Sequence, residues 1–204
     1  DLVLYDWYHR VFARAPSADI VIVAIDQHSL EQLGRWPWSR SAHAQLVRQL
    51  TSAGGRAIRF QIAFPEPETD NPQADAEFAA ALAQNARVVL PVLQEQSHLG
   101  GEPLETTAIP SLARQGAAFG HVDVELDADG IARAVFLRAG LGSPSWPALP
   151  LALLLLGEGD SGRSLPGERT PASSESSPYT WQRDYRILIR SEERRVGKEC
   201  RSRW

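Results

Sequence analysis

Asp26 lies at a position where a carboxylate could do chemistry. It directly follows residues 20–25 (IVIVAI), a β-branched and apolar run that predicts a strand buried on both faces of a sheet. Ligands of open α/β sheets bind at the carboxyl ends of such strands, where a carboxylate can hold a metal ion, a ribose or a magnesium-bound phosphate. Phosphotransfer would favour a second Asp two residues later, but that position is His28. The alternative is structural, with Asp26 capping the next helix or accepting hydrogen bonds from the loop after it.

Two tryptophans and two arginines surround a proline in residues 35–40 (RWPWSR). The side chains concerned are Arg35, Trp36, Trp38 and Arg40. Together they can form a surface that stacks on a ligand and binds an anion through paired hydrogen bonds. In the alternative interpretation the indole rings cover one end of the sheet, and the arginines form ion pairs with Asp26 or Glu66.

Four carboxylates follow the second predicted strand at irregular spacing: Glu66, Glu68, Asp70 and Asp75. Carboxylates can bind calcium, but this spacing does not match an EF-hand loop. The alternative is a solvated acidic loop in which Asp75 caps the helix that follows. A metal-dependent hydrolase that uses Asp26 and this loop is retained as an alternative function of the chain.

The histidines show no zinc-binding spacing. His43 lies one turn inside the second predicted helix, where it either lines a pocket or is a structural histidine with its hydrogen bonds satisfied. The motifs GxSxG, GxxxxGK[ST] and GxGxxG are absent from the sequence. We therefore assign no catalytic residue, no metal ligand and no cofactor.

The elements that position these residues alternate between strands and helices. Strands are predicted near residues 20–25, 57–64 and 87–92, with helices between them. This order indicates right-handed parallel βαβ units in an α/β fold with a three-layer-like sheet. A period-two pattern in residues 118–126 and 131–138, interrupted by an Asp-Ala-Asp-Gly turn, predicts an additional antiparallel hairpin.

The composition divides the chain further. Residues 157–178 are rich in Gly, Pro and Ser and predict a flexible low-complexity insertion, after which residues 179–189 predict a returning strand. Residues 190–204 contain the only Lys and the only Cys of the chain. This tail resembles the in-frame translation of a sequencing adapter, so we interpret it as an artefact and exclude it from the fold.

The overall composition excludes several classes of protein. The 204 residues carry a net charge of −4, whereas a nucleic-acid-binding domain would show a basic face. One cysteine excludes a disulfide framework. The sequence contains no run of about 20 apolar residues, so it predicts no membrane span within the chain.

An ordered series of motifs resembles the extracellular CHASE sensor family of the second type (cyclases/histidine kinases associated sensory extracellular). The series comprises Tyr5-Asp6, residues 20–40 (IVIVAIDQHSLEQLGRWPWSR), His43-Ala44, residues 64–67 (FPEP), Asp75, residues 88–92 (VVLPV), residues 120–133 (GHVDVELDADGIAR) and a short helix in residues 146–156. Gln61 departs from the pattern, because the family places an acidic residue there. The final part of the domain is expected to be missing, with the tail in its place.

The resemblance implies a sensor without enzymatic activity, formed by residues 15–156 and the returning strand. Residues 1–14 would be a helix that emerges from a preceding membrane span. The domain would lie on the extracytoplasmic, periplasmic side of the plasma membrane. Further membrane helices and a cytoplasmic output domain would follow: an adenylate or guanylate cyclase, a diguanylate cyclase, a histidine kinase or a Ser/Thr kinase.

The resemblance also implies which partners and which ligand-binding residues to expect. A small molecule or surface condition would bias the arrangement of the domain, and the adjacent membrane helices would transmit the shift. A homodimer is left open as a partner, and no nucleic acid is expected. The residues of interest, as ligand-binding or structural signature, are Asp26, Arg35, Trp36, Trp38, Arg40, His43, Glu66 and Asp75. A structural interaction module that uses Trp36 and Trp38 is a further alternative.

Overall fold

The computed structural model describes residues 2–12, 17–96, 101–115, 118–158, 164–170 and 177–189. The helices within them are α1 (Leu2–Val11), α2 (Gln27–Leu33), α3 (Arg40–Ser52), α4 (Pro72–Asn85), α5 (Pro110–Ala113) and α6 (Leu149–Glu158). The strands are β1 (Ile58–Arg59), β2 (Val88–Gln96), β3 (Pro103–Thr106), β4 (Ala118–His121), β5 (Ala134–Leu141), β6 (Trp146–Pro147) and β7 (Trp181–Leu188). The tail at 190–204, residues 159–163 and 171–176 of the predicted insertion, and residues 13–14 of the predicted first helix lie outside the described residues.

A mostly parallel sheet forms the centre of the fold. β1 and β4 both run parallel to β2, and β3 pairs antiparallel with the second half of β2. The connection from β1 through α4 to β2 is therefore a parallel βαβ unit, as predicted from residues 57–64 and 87–92. A second, antiparallel sheet has the order β6-β5-β7.

Helices cover both faces of β2, which gives the three layers that the sequence predicts. Successive side chains of a strand point to opposite faces. Val88 and Leu90 belong to the main core, which also contains buried residues of α3, α4 and α5. Val89 points to the other face, where it packs with Leu149 and Ala152 of α6.

Helical spacing explains how α3 and α4 contribute to the main core. The buried apolar positions of α4 include Ala74, Phe78 and Leu82, which recur every four residues and therefore lie on one face. Ala44 and Val47 form the corresponding face of α3. Ser39 fixes the start of α3, because its hydroxyl oxygen accepts a hydrogen bond from the backbone N–H of Ser41 at 3.3 Å.

The predicted strand at residues 20–25 is wrong. The segment is extended, but it pairs with no strand, and Ile22 is 80% exposed. Of its backbone N–H groups, only that of Ile20 donates to an acceptor in the described chain, the carbonyl oxygen of Ser17 at 3.3 Å. The physical reason lies in β1, the expected neighbour, which is only two residues long and offers almost no edge for pairing. We call residues 20–25 the exposed ribbon.

The predicted hairpin of residues 118–126 and 131–138 is also wrong in its pairing. β4 pairs with β2, and β5 pairs with β6 and β7. Between the two segments the backbone forms a turn at residues 127–131 and a single bridge between Glu125 and Ala134, not a hairpin ladder. Close packing keeps β4 in the central sheet, because a Cβ on Gly120 would lie 2.6 Å from the Cα atom of Leu149 in α6.

The second sheet contains the longest ladder of the fold. β5 and β7 pair from Ala134 opposite Leu188 to Leu141 opposite Trp181. At about 3.4 Å per residue, this ladder spans roughly 24 Å. Among the described helices, none has both the length and the apolar character needed to cross a membrane.

Candidate functional site

The loop between α2 and α3 holds its two tryptophans against the protein. Trp38 donates a hydrogen bond from Nε1 to the carbonyl oxygen of Gly34 at 2.9 Å. Trp36 lies edge-to-face against Trp38 and His43, with ring centroids 5.5 and 5.7 Å apart. Trp36 remains 38% exposed. The indole rings thus pack mainly on neighbouring rings and backbone.

Arg40 connects the start of α3 to the acidic loop. Its backbone N–H donates to the carboxylate of Glu68 at 2.6 Å, and its Nη2 donates to the carbonyl oxygen of Glu66 at 3.1 Å. Its Nε lies 3.6 Å from Oδ1 of Asp75, and its guanidinium stacks over the ring of Phe64 at 4.6 Å. The expected ion pair of Arg40 with the carboxylate of Asp26 or Glu66 is therefore wrong. Asp75 is the ion-pair partner, because it lies on the neighbouring helix α4.

Asp75 organises the acidic loop from inside α4. The helix begins at Pro72 after Asn71, so the prediction that Asp75 caps it is wrong. Asp75 is only 8% exposed, and its Oδ2 accepts a hydrogen bond from the backbone N–H of Glu68 at 3.0 Å. Glu66 and Asp70 are exposed. Two of the four loop carboxylates are thus committed to Arg40 and the loop backbone.

His43 is buried at the centre of an aromatic cluster. Four rings have centroids within 6.2 Å of the imidazole: Trp36, Phe60, Phe64 and Phe78. Burial, together with the positive charge of Arg40, lowers the pKa of His43 to about 4. His43 is therefore neutral at neutral pH, and its Nε2 has no hydrogen-bond partner in the described chain. This geometry is that of a structural histidine, not of a proton-transfer group open to substrate.

Asp26 caps α2. Its carboxylate accepts hydrogen bonds from the backbone N–H and the hydroxyl of Ser29 at 2.9 and 2.7 Å, which lower its pKa. Arg35 is exposed and forms no ion pair with a described residue. Among the described residues, no hydrogen bond or ion pair joins Asp26 to the acidic loop, and no group of three His, Cys, Asp or Glu side chains is arranged to hold a metal ion. The structure thus brings together Trp36, Trp38, Arg40, His43 and Asp75, and leaves Asp26 and Arg35 apart.

A guanidinium cluster that the sequence patterns did not predict holds α1. Arg133 is 3% exposed, and its five N–H groups form five hydrogen bonds to three carboxylates. Asp6 of α1 accepts two of them at 3.0 and 2.9 Å, and Asp127 and Asp129 accept the others at 2.6–2.9 Å. The hydrogen bonds that Arg133 donates to Asp129 and Asp127 raise the pKa of its guanidinium. One signal for this cluster was present in the sequence, because both Tyr5-Asp6 and residues 120–133 belong to the series of family motifs. No sequence feature indicated that the two motifs contact each other.

A second missed cluster joins the two sheets. Asp123, two residues after β4, accepts hydrogen bonds from Nε and Nη2 of Arg183 and from Nε1 of Trp181, both on β7. Burial alone raises the pKa of Asp123, but these hydrogen bonds and the charge of Arg183 outweigh it, and the pKa falls below its usual value. The carboxylate therefore stays ionised and keeps β7 attached to the end of β4.

Comparison with known proteins gives one match. A family model of the CHASE2 domain matches residues 1–196. We found no similar protein among those with curated functions and no solved structure that matches the chain. The match covers both clusters and the whole three-layer core, so the chain belongs to the CHASE2 domain family, a family of extracellular sensory domains of signalling proteins.

Proposed function

We propose that this chain is the extracytoplasmic, ligand-responsive domain of a bacterial-type transmembrane signalling protein, and that α1 carries its state towards the membrane. The output would be a cyclase, a diguanylate cyclase, a histidine kinase or a Ser/Thr kinase. The observation that carries the proposal is the attachment of α1 to the domain through buried polar contacts, with its apolar side chains facing outward.

The inner side of α1 is fixed at two points. Asp6 forms the paired hydrogen bonds with Arg133, and the hydroxyl of Tyr5 donates to the carbonyl oxygen of Ile189 at 2.6 Å. Residues 133 and 189 are themselves joined, because the backbone N–H of Ile189 donates to the carbonyl oxygen of Arg133 at 2.9 Å. A displacement at this end of the second sheet therefore moves both attachment points of α1 together.

The outer side of α1 is apolar and aromatic. The exposed side chains are Leu4, Trp7, Tyr8, Val11 and Phe12, each 44% exposed or more. Tryptophan and tyrosine are enriched where proteins meet the membrane–water interface. A helix with its polar contacts inward and its apolar face outward suits a position at a membrane surface, with a membrane span before it.

The competing functions lose support from the same geometry. Asp26 uses its carboxylate to cap α2, and the acidic loop is bound to Arg40. Among the described residues no group of acidic side chains is arranged to hold a metal ion, so the hydrolase hypothesis gains no support from the geometry. The interaction-module hypothesis rests on two tryptophans that mostly contact each other, Gly34 and His43.

Sequencing the source gene with long reads on both sides of this chain tests the membrane context. We expect an apolar span before residue 1, and several spans and an output domain after the codon for Ile189. A gene that encodes residues 190–204 and then stops, with no apolar span on either side, would contradict the proposal.

Hydrogen exchange tests the attachment of α1. Arg133→Lys keeps the charge but cannot form paired hydrogen bonds to Asp6. We expect faster exchange at the backbone amides of α1 in this variant and unchanged exchange in Arg138→Lys. This is a matched change at a partly exposed arginine that donates to the Ser145 carbonyl oxygen and has no ion pair with a described residue. Unchanged exchange of α1 in Arg133→Lys would show that the cluster does not hold the helix.

A further inference from the structure

The β5–β7 ladder has a cleft at the end opposite to α1. The Ala134–Leu188 end adjoins Arg133 and Ile189, which hold α1. At the other end Leu141 pairs with Trp181, and Trp181 lines a cavity of about 360 Å³. A neighbouring cavity of about 510 Å³ shares Gln94 with the first. We call the two together the β2–β7 cleft; both cavities are shallow and open to solvent.

The position of the cleft is one that α/β folds use for binding. Gln94 lies near the carboxyl end of β2, and Asp123 follows the carboxyl end of β4, which runs parallel to β2. Ligands of open α/β sheets bind outside such carboxyl ends. The cleft also touches both sheets, because Trp181 and Arg183 belong to the antiparallel one. A molecule bound here would contact both sheets at once.

The walls of the cleft are mainly apolar. The larger cavity is lined by four aliphatic side chains: Leu93, Val122, Val124 and Leu126. The smaller cavity adds the rings of Tyr179 and Trp181. Leu126 and Tyr179 are 62% and 53% exposed, so this apolar surface is open to a ligand.

The charge of the cleft is negative. Arg183 and Asp123 neutralise each other through two hydrogen bonds of 2.5 and 2.8 Å. Glu95 uses Oε2 to accept from the hydroxyl of Thr106 at 2.7 Å, while its Oε1 has no partner in the described chain. Glu105, opposite Gln94 in the neighbouring strand, accepts from the backbone N–H of Leu141 and pairs with no cation among the described residues. Glu105 lies beside the cleft and lines neither cavity. Of the charged residues that do line them, Glu95 and Asp123 outnumber Arg183, so the lining carries one excess negative charge, on Glu95.

We infer that the β2–β7 cleft binds a small organic cation, a protonated amine with an apolar body. The ammonium group lies at Glu95, and the body lies against the aliphatic wall and the aromatic rings. A carboxylate beside apolar and aromatic surface is the environment that recognises organic ammonium groups. This inference rests on the proposed sensory function, and it names the chemical class of the signal.

The β5–β7 ladder explains how such a ligand would act. Glu105 fixes the end of β5 through the Leu141 N–H, and Asp123 fixes the start of β7. A ligand that tightens these contacts changes the position of one end of the ladder, in which Leu137 and Tyr185 do not pair, and the other end of the ladder carries α1. The ligand shifts α1 towards the arrangement that it binds more tightly, by as much as its affinities for the two arrangements differ.

A matched pair of probes tests the inference on the whole chain. 3-Phenylpropan-1-amine and 3-phenylpropanoate share a body and differ in the sign of their charge. In titration calorimetry we expect the amine to bind and the carboxylate not to bind. Glu95→Gln should weaken the amine roughly fivefold, the effect of losing a partly exposed ion pair. Glu77→Gln, which removes an exposed carboxylate on α4, should leave binding unchanged.

Each outcome decides between the two proposals. No binding of the amine, equal binding of both probes, or equal loss in the Glu95 and Glu77 variants would overturn the cleft as an amine site. None of these results affects the exchange of α1 in Arg133→Lys, which tests its attachment separately. Amine binding that leaves hydrogen exchange of α1 unchanged would keep the ligand site and overturn its connection to α1.

Discussion

Two buried histidines predict that acid weakens this domain well before its carboxylates are protonated. His43 and His121 are 3% and 2% exposed, and burial lowers the pKa of each from 6.5 to about 4. In the unfolded chain both bind a proton as the pH falls through about 6.5. In the folded chain neither does so until about pH 4. The stabilisation is thus complete above pH 6.5 and is lost as the pH falls towards 4.

The size of the effect follows from these two pKa values. One histidine with a pKa of 6.5 unfolded and about 4 folded loses about 2 kcal/mol of unfolding free energy between pH 7 and pH 5. The two histidines together lower the unfolding free energy by about 4 kcal/mol. Near pH 5 the slope of the unfolding free energy against pH corresponds to an uptake of almost two protons on unfolding. Domains of this size are stable by about 5–15 kcal/mol, so the loss is a large share of the total.

Urea unfolding at pH 7, 6 and 5 measures this dependence. His43→Phe keeps a ring among the surrounding aromatic side chains, and His121→Asn keeps an acceptor for the backbone N–H of Asp123, which donates to Nδ1 of His121 at 3.2 Å. Each substitution should remove about one proton from the slope. His28→Gln, at an exposed position, is the control and should change nothing.

The wild-type free energy of unfolding could instead fall by less than about 1 kcal/mol between pH 7 and pH 5. That result would show that the histidines of the folded chain accept protons freely. A normal fall that persists in both variants would assign the dependence to other groups. Either result would also reopen His43 as a residue that reaches solvent and could line a pocket.

Three further substitutions probe packing and exposure. Gly120→Ala places a Cβ 2.6 Å from the Cα atom of Leu149, so we expect a loss of about 1–3 kcal/mol in urea unfolding as α6 is pushed from the sheet. Phe64→Ala removes a fully buried ring beneath Arg40 and should cost about 3–5 kcal/mol in the same assay, whereas a loss below about 1 kcal/mol would contradict the described core. Ile22→Lys should change stability by less than about 0.5 kcal/mol and reduce self-association in light scattering, because Ile22 is 80% exposed; a large loss of stability would show that the ribbon is buried.

Local signals in the sequence predicted local structure well. The Asp26 cap, one of the two interpretations of that residue, depends on a carboxylate and a backbone N–H only three residues apart. The prediction of a strand at the exposed ribbon was wrong for the opposite reason. Its composition suits a strand buried on both faces, but pairing depends on an edge elsewhere in the chain, and the two-residue β1 does not supply one.

The candidate site was predictable only in part, for the same reason. Trp36, Trp38 and Arg40 lie near His43 in the structure because one short loop and one helical turn contain them all, a proximity that was not predicted from the sequence. The sequence did not identify Asp75 as the partner of Arg40 or pair Asp6 with Arg133, 127 residues away. Ion pairs across such distances follow from topology, which spacing does not encode. Likewise, alternation in residues 118–126 showed a strand but not that its neighbour is β2.

The clusters that the sequence missed suit signal transmission better than the motif that it identified. Arg40, His43 and Asp75 join α3 to α4 within one layer of a densely packed core, so these residues hold a single arrangement. Arg133 and Asp123 instead join separate parts: α1 to the 127–133 turn, and β4 to β7. Relative movement between such parts changes few core contacts, and hydrogen-bonded ion pairs can form anew after a small shift. A sensory domain needs a firm core and adjustable connections, and under the proposed function we expect the adjustable connections at the two ends of the β5–β7 ladder.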